Sequence, residues 1–171
     1  GRHTHFFSQL GFNAHGMEVS HEKVKTLNEK FSTNTFFKSV TDNIDADSES
    51  YDFVVGANSI YYLDDEYSSI DNNLVELSRV LKGGGCLVVS FIGERHFLLD
   101  GCRKLDDKSV IVKRDPLGFR NETKIRPAWG KEDIKDMFES HIELELSKIG
   151  EVTDECDDKI RHLYYCVIYK S

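Results

Sequence analysis

No window of about 18 apolar residues occurs anywhere in the chain, so no membrane-spanning helix is expected. The first residues, GRHTHFF, lack the pattern of a secretory signal. No phosphate-binding glycine-lysine loop, no HExxH and no zinc-type cysteine spacing is present. The four cysteines, Cys86, Cys102, Cys156 and Cys166, include no CxxC pair. Cys86 and Cys166 lie inside strand-like runs, where a buried thiol is the ordinary state. A reduced, cytoplasmic compartment is therefore expected. Base is scarce too: 22 Lys and Arg face 30 Asp and Glu, a net charge of −8. Because Lys and Arg supply most of the affinity for a phosphate backbone, this balance argues against a nucleic acid partner. The 171 residues, 39% hydrophobic and 30% charged, suit one globular domain able to bury a core. No repeat, low-complexity linker or second domain is visible.

What is present centres on Tyr51 to Phe91. YDFVV is a short apolar run that reads as a strand buried on both faces. GANSIYYL follows at its carboxyl end, where open α/β sheets place their ligands. Ile70, Leu74, Leu77 and Leu81 then recur at helical spacing with polar residues between them. KGGG breaks that helix, and CLVVSF is a second buried strand. Strand, loop, helix, glycine turn and strand make one βαβ unit. An aspartate-led strand (Asp52) and a leucine-lysine-glycine-glycine turn before the next strand resemble the second half of a class I S-adenosylmethionine-dependent methyltransferase.

The chain start is similar to the same family after most of its glycine loop. GRHTHFF keeps only the last loop glycine, Gly1. His5 to Leu10 is expected as a helix burying Phe6, Phe7 and Leu10, with Gly11 at its end. Phe12 to Val19 reads as a strand carrying Glu18 near its tip, and Gly1 to Glu18 is close to the roughly 20 residues expected between a glycine loop and a ribose-binding acid. GMEVS also matches the family's pattern here. The resemblance therefore implies that Gly1, Glu18 and Val19 bind the cofactor, Glu18 by accepting hydrogen bonds from the ribose diol. Ser20 is a candidate cap for a helix over His21 to Phe31 with Val24, Leu27 and Phe31 on its apolar side.

TFFKSV is the next strand candidate. Where the family often has an adenine-binding aspartate, this chain reads Ser39, Val40 and Thr41 before Asp42, so backbone groups of Ser39 and Val40 are the expected adenine contacts. Thr41 to Ser50 reads as a solvated acidic loop. Ala57, Asn58 and Ser59 are further cofactor candidates, because small residues at a strand end let a ligand approach the backbone. Tyr61 and Tyr62 are candidates to contact the cofactor or the methyl acceptor; packing beneath the sheet is the plainer alternative.

Beyond CLVVSF, the stretch to Trp129 is too long for an ordinary connection. SVIVKR and FRNETKI flank DPLG, a turn signature, so an inserted hairpin or cap is expected at about residues 95–128. In similar methyltransferases insertions here roof the substrate site. His96 is the candidate general base and, with Trp129, a candidate substrate contact. His3 and His5 form an HxH pair without an obvious third ligand, and no metal is expected. Lys131 to Ser140 reads as a helix with Ile134, Met137 and Phe138 buried, and HIELELSKIG and HLYYCVIYK as two closing strands around a polar, acidic connector.

The implied fold is a Rossmann-like, mostly parallel twisted sheet with helices on both faces and a terminal antiparallel hairpin. The family's first strand, which would lie between the strands at 12–19 and 51–56, has no counterpart, and the expectation is that the sequence is the remainder of a longer protein. The implied function is methyl transfer from S-adenosylmethionine to a small-molecule acceptor. This is an in-line displacement that asks the protein mainly to position its reactants and exclude water. Two alternatives stand beside it: a non-catalytic methyltransferase-like interaction domain, and an NAD-dependent oxidoreductase, disfavoured by the incomplete GxGxxG and the antiparallel ending.

Overall fold

The computed structural model describes residues 1–32, 35–63, 68–156 and 158–171, in two compact units, 1–46 and 47–171. In the first unit α1 (Arg2–Gln9) precedes β1 (His15–Glu18), α2 (His21–Lys30) and β2 (Thr35–Lys38). β1 and β2 pair in parallel, from His15 opposite Thr35 to Glu18 opposite Lys38. Ser20 caps α2 as expected, its hydroxyl accepting the Lys23 N–H at 3.4 Å. Asn28 stitches the helix to the strand: its amide group donates to the Phe36 carbonyl and accepts the Phe36 N–H, both at 2.9 Å. The first helix differs from expectation. It starts at Arg2, and Phe6 and Leu10 are exposed, because α1 turns Thr4, His5, Phe7 and Ser8 inward and stacks His5 on Phe31 at 4.8 Å. Gly11 closes it as expected, donating to the Ser8 carbonyl at 3.0 Å.

The second unit holds β3 (Tyr51–Gly56), β4 (Tyr62–Leu63), α3 (Ile70–Val80), β5 (Leu81–Ile92), a 3-10 turn (Phe97–Leu99), β6 (Arg103–Lys104), β7 (Val110–Ile111), β8 (Lys124–Ile125), α4 (Lys131–Glu139), β9 (Leu144–Cys156) and β10 (Lys159–Lys170). One sheet has the order β3-β5-β10-β9, the other β4-β8-β7-β6. β3 is parallel to β5, whereas β10 is antiparallel to both β5 and β9. An antiparallel last strand is the ending expected of the methyltransferase sheet and removes the ground for the oxidoreductase reading. Among the described strands the parallel pairings are β1–β2 and β3–β5, and the remaining pairings are antiparallel, because the insertion builds a sheet of its own and the closing hairpin is long. No strand pairs with the outer edge of β1 or β3 among the described residues.

Burial follows the periodicity in the helices. α3 buries Ile70, Leu74 and Leu77, and α4 buries Ile134, Met137 and Phe138. Leu81, read as the last apolar helix position, is buried instead as the first residue of β5, and the glycines after it form a register shift between Tyr51–Leu81 and Phe53–Cys86. β3 is not buried on both faces: Phe53 and Val55 are exposed, since β3 is the edge of its sheet. At the chain end the connector read as loop is largely strand. β9 runs on to Cys156 because every residue from Lys159 onward in β10 offers it a partner, and Ile142 falls before the strand, fully exposed. The α3 cap was not anticipated: the Ser69 hydroxyl accepts the Asn72 N–H at 3.1 Å. Removing that acceptor in Ser69→Ala is expected to cost ~1 kcal/mol, read as a lowered urea midpoint with an unchanged slope.

Candidate functional site

The loop after β3 is built by close approach. A Cβ at Gly56 would lie 2.5 Å from Ile60 Cγ2, so only glycine lets the chain fold back there. Asn58 sits at φ +54, a left-handed conformation that asparagine tolerates better than most residues. Its N–H donates to the Ser90 hydroxyl at 2.7 Å, and that hydroxyl donates to Asn58 Oδ1 at 3.2 Å. The Ile60 carbonyl accepts from Asn73 Nδ2 at 2.8 Å. Ser90 and Asn73 are buried polar residues that hold the loop from β5 and α3. Both carried a signal in the sequence, one a serine inside an apolar strand run, the other an asparagine on the buried side of a helix. Ser90→Ala leaves the Asn58 N–H without its acceptor. It is expected to cost ~1–3 kcal/mol in thermal unfolding, with a weaker titration of S-adenosylhomocysteine if the loop holds cofactor.

The other candidates fall as follows. Gly1 is the N-cap of α1, and Val19 follows directly on β1. Glu18 ends β1; its Oε1 accepts the Val19 N–H at 2.9 Å and the Ser20 N–H at 3.4 Å, which fixes the carboxylate, and Oε2 has no partner among the described residues. Ser39 donates its N–H to the Glu18 carbonyl at 3.1 Å. Its hydroxyl gives to the Asn43 carbonyl at 2.9 Å and takes the Asp45 N–H at 2.8 Å, so both Ser39 donors are occupied inside their own loop. Val40 forms a bridge with Asn43. These residues belong to the first unit, and Ala57, Asn58 and Ser59 to the second.

Tyr61 is buried and Tyr62 half-buried, their rings 4.7 Å apart. Burial, reinforced by Tyr62, pushes the Tyr61 phenol far above its ordinary value. β4 pairs Tyr62 and Leu63 with Ile125 and Lys124 of β8, which ties the insertion to this loop. Within the insertion β7 and β8 form an antiparallel hairpin, and Gly118 donates to the Asp115 carbonyl at 2.9 Å across the DPLG turn. His96 is not at the surface. It is 6% exposed, its Nδ1 accepts the Leu98 N–H at 3.2 Å, and burial together with Arg120, His162 and Arg161 lowers its pKa to about 4. Trp129 commits its indole N–H to the Lys108 carbonyl at 2.8 Å and leaves its ring partly exposed. His5 packs against Phe31, and among the described residues no cluster of metal-binding side chains occurs.

At the carboxyl end of β5 a second polar group was invisible to motif reading. His162 is fully buried; its Nδ1 accepts the Arg95 N–H at 3.3 Å, and its Nε2 therefore donates to Glu151 at 3.1 Å. A Cβ on Gly93 would meet that ring at 2.4 Å. Glu151 also pairs with Lys131 at 2.9 Å and Arg95 at 3.2 Å, while Tyr164 donates to Glu94 at 3.1 Å. The only hint in the sequence was the inward parity of His162 on an alternating strand.

The parallel pair β3–β5, joined through a helix and followed by a closing antiparallel hairpin, is the arrangement of a class I methyltransferase. The methyltransferase-domain family model matches residues 1–89, and the chain belongs to the class I S-adenosylmethionine-dependent methyltransferases. No curated protein matches it in sequence. Among solved structures, a protein of Pyrococcus horikoshii OT3 aligns with a TM-score of 0.72 at 18% identity, over 100% of this chain and 77% of its own. The CcbJ methyltransferase of Streptomyces caelestis aligns at 0.66 and 20% identity, over 96% and 77%. The 1,6-didemethyltoxoflavin-N1-methyltransferase of Burkholderia thailandensis, solved with its substrate and S-adenosylhomocysteine, aligns at 0.70 and 10%, over 100% and 67%. At these identities the likeness establishes the fold.

Proposed function

We propose that residues 1–171 act as one methyltransferase domain that binds S-adenosylmethionine and transfers its methyl group to a small-molecule acceptor. The observation that carries this reading is the family match across residues 1–89, which runs through both Glu18 and the Ala57–Ser59 loop. The residues fit the cofactor. Glu18 has a fixed carboxylate with one oxygen open, suited to a ribose diol and opposed to a 2′-phosphate. Asn58, locked by Ser90, keeps the loop backbone in a strained turn that a ligand can approach. Bound there, the cofactor supplies an electrophilic methyl group on a sulfonium.

Gly1, Val19, Ser39 and Val40 complete the cofactor set in this reading, Ser39 and Val40 through their backbone. Tyr62 and Trp129 face the acceptor, and the insertion at 95–128 roofs it. His96 enters as a neutral residue: a group held near 4 is a weak base at neutral pH, so its part is to shape the wall beside Arg120. The Burkholderia methyltransferase of like fold, solved with 1,6-didemethyltoxoflavin, supports a small-molecule acceptor. The free thiols of Cys86, Cys102 and Cys166 agree with a reduced, cytoplasmic setting. The test is calorimetric titration of the full chain with S-adenosylhomocysteine, followed by a methyl-transfer screen of small acceptors. Saturable binding with turnover supports the reading, binding without turnover of any acceptor favours the interaction domain, and absence of binding removes it.

A further inference from the structure

A buried relay runs from the insertion to the loop after β3. Asp115, whose side chain is fully buried, accepts the Leu117 N–H at 3.2 Å, the Arg120 N–H at 3.0 Å and Arg120 Nη1 at 3.2 Å. Asn121 fixes it from the other side by accepting the Asp115 N–H at 2.9 Å. The guanidinium so oriented donates Nε–H to the Tyr62 hydroxyl at 2.9 Å. Tyr61 is buried beside Tyr62, the two rings 4.7 Å apart. With Arg120 as the donor to its oxygen, the Tyr62 hydroxyl keeps its own proton to give to a further acceptor. Arg120 Nη2 also has no partner among the described residues, and a third of the side chain is exposed. Two strong donors, the Tyr62 O–H and Arg120 Nη2–H, therefore stand side by side with their geometry preset.

The local field has the matching sign. The guanidinium groups near His96 are those of Arg120 and of Arg161, the latter paired with Asp154. Asp115 offsets part of the Arg120 charge but takes only Nη1, which leaves Nη2 for a further acceptor. A structural tie between insertion and loop would need only one hydrogen bond. It would not need a buried carboxylate to aim the fork.

We propose that Tyr62 and Arg120 form a two-donor seat for a carboxylate on the methyl acceptor, with Asp115 as the positioning residue, so that the acceptor is a small organic acid. Planar guanidinium and hydroxyl donors match the two oxygens of a carboxylate and discriminate against an amide or an ammonium group. This rests on the methyltransferase reading above.

The test is calorimetry on the full chain saturated with S-adenosylhomocysteine, using phenylacetate, phenylacetamide and 2-phenylethylamine as probes. Phenylacetate should bind at least about tenfold tighter than the amide, with the amine weakest. Tyr62→Phe and Arg120→Met should each remove about tenfold or more of the carboxylate affinity and leave the amide unchanged. Arg120→Lys keeps the charge without the fork and should retain only part of it. Should Arg120→Met fail to fold because Asp115 is left unpaired, the double change Asp115→Asn with Arg120→Met removes both charges, and Tyr62→Phe stands independently. Equal binding of acid and amide, a preference for the amine, or undiminished phenylacetate affinity in Tyr62→Phe and Arg120→Met would each overturn the seat. A protein that takes up S-adenosylhomocysteine but ignores probe charge loses the seat alone. One that does not take it up loses the methyltransferase reading as well.

Discussion

Replacing Asp133 by alanine is expected to destabilise the unit of residues 47–171 by ~3–5 kcal/mol, the usual cost of stranding one member of a buried ion pair. Arg126 is 4% exposed and gives Nη1 and Nη2 to the two Asp133 oxygens at 2.9 and 2.6 Å. Asp133 also accepts the Trp129 N–H at 2.9 Å, which fastens the start of α4 to the end of the insertion. For a chain of this size the loss corresponds to roughly 6–20 °C in the unfolding midpoint. The double change Arg126→Met with Asp133→Leu removes both charges and should recover much of it, since replacing a whole buried pair with apolar groups is often nearly neutral. The pH dependence has a definite sign. Burial alone would raise the Asp133 carboxyl, but Arg126 and the Trp129 N–H hold it below its ordinary value of 3.8. A lowered folded value means the stabilisation is complete above 3.8 and fades as pH falls through the lower folded value. Urea unfolding at neutral pH should therefore separate wild type from Asp133→Ala widely, with the gap narrowing near the acid limit. A constant gap at all pH would show that the carboxylate's charge is not what stabilises.

Glu18→Ala should weaken S-adenosylhomocysteine about ten- to a hundredfold while leaving the unfolding midpoint nearly unchanged. The lost hydrogen bonds to a charged group are worth ~1.5–3 kcal/mol. The fold loses little, because Oε1 serves the adjacent Val19 and Ser20 N–H groups and an exposed Lys23 at 3.9 Å, all at a partly exposed strand end. Glu18→Gln, which keeps shape and one acceptor oxygen, should fall between. An unchanged titration in Glu18→Ala removes this residue from the cofactor site. A large drop in midpoint would instead make it a structural part of the β1–α2 turn.

Several features were legible because they depend on neighbours in sequence. The apolar positions of α2, α3 and α4 follow helical spacing, Ser20 caps the helix it precedes, and the DPLG turn closes where its proline and glycine require. The strand pair YDFVV and CLVVSF and the alternation in HLYYCVIYK were equally local signals, and they were enough to identify the family. Burial was less legible. Phe53 and Val55 are as apolar as core residues, yet they lie on a sheet edge; Ile142 continues an alternating pattern, yet the strand begins after it. An apolar residue records that it can be buried, and the number of neighbours its strand acquires decides whether it is.

The sequence by itself determined the α/β class, the order of the main elements, the antiparallel ending and the methyltransferase family, since each rests on periodicity, turn chemistry or a short motif. Only the tertiary structure decided which polar groups share a site. Tyr62 meets Arg120, Asn58 meets Ser90 and His162 meets Gly93 across 32 to 69 residues of chain. Those meetings follow from strand register and from the sheet the insertion builds on β4, and neither has a periodicity to announce it. The same geometry buried His96, which the sequence offered as a general base, and made it the cap of a 3-10 turn with its pKa lowered to about 4.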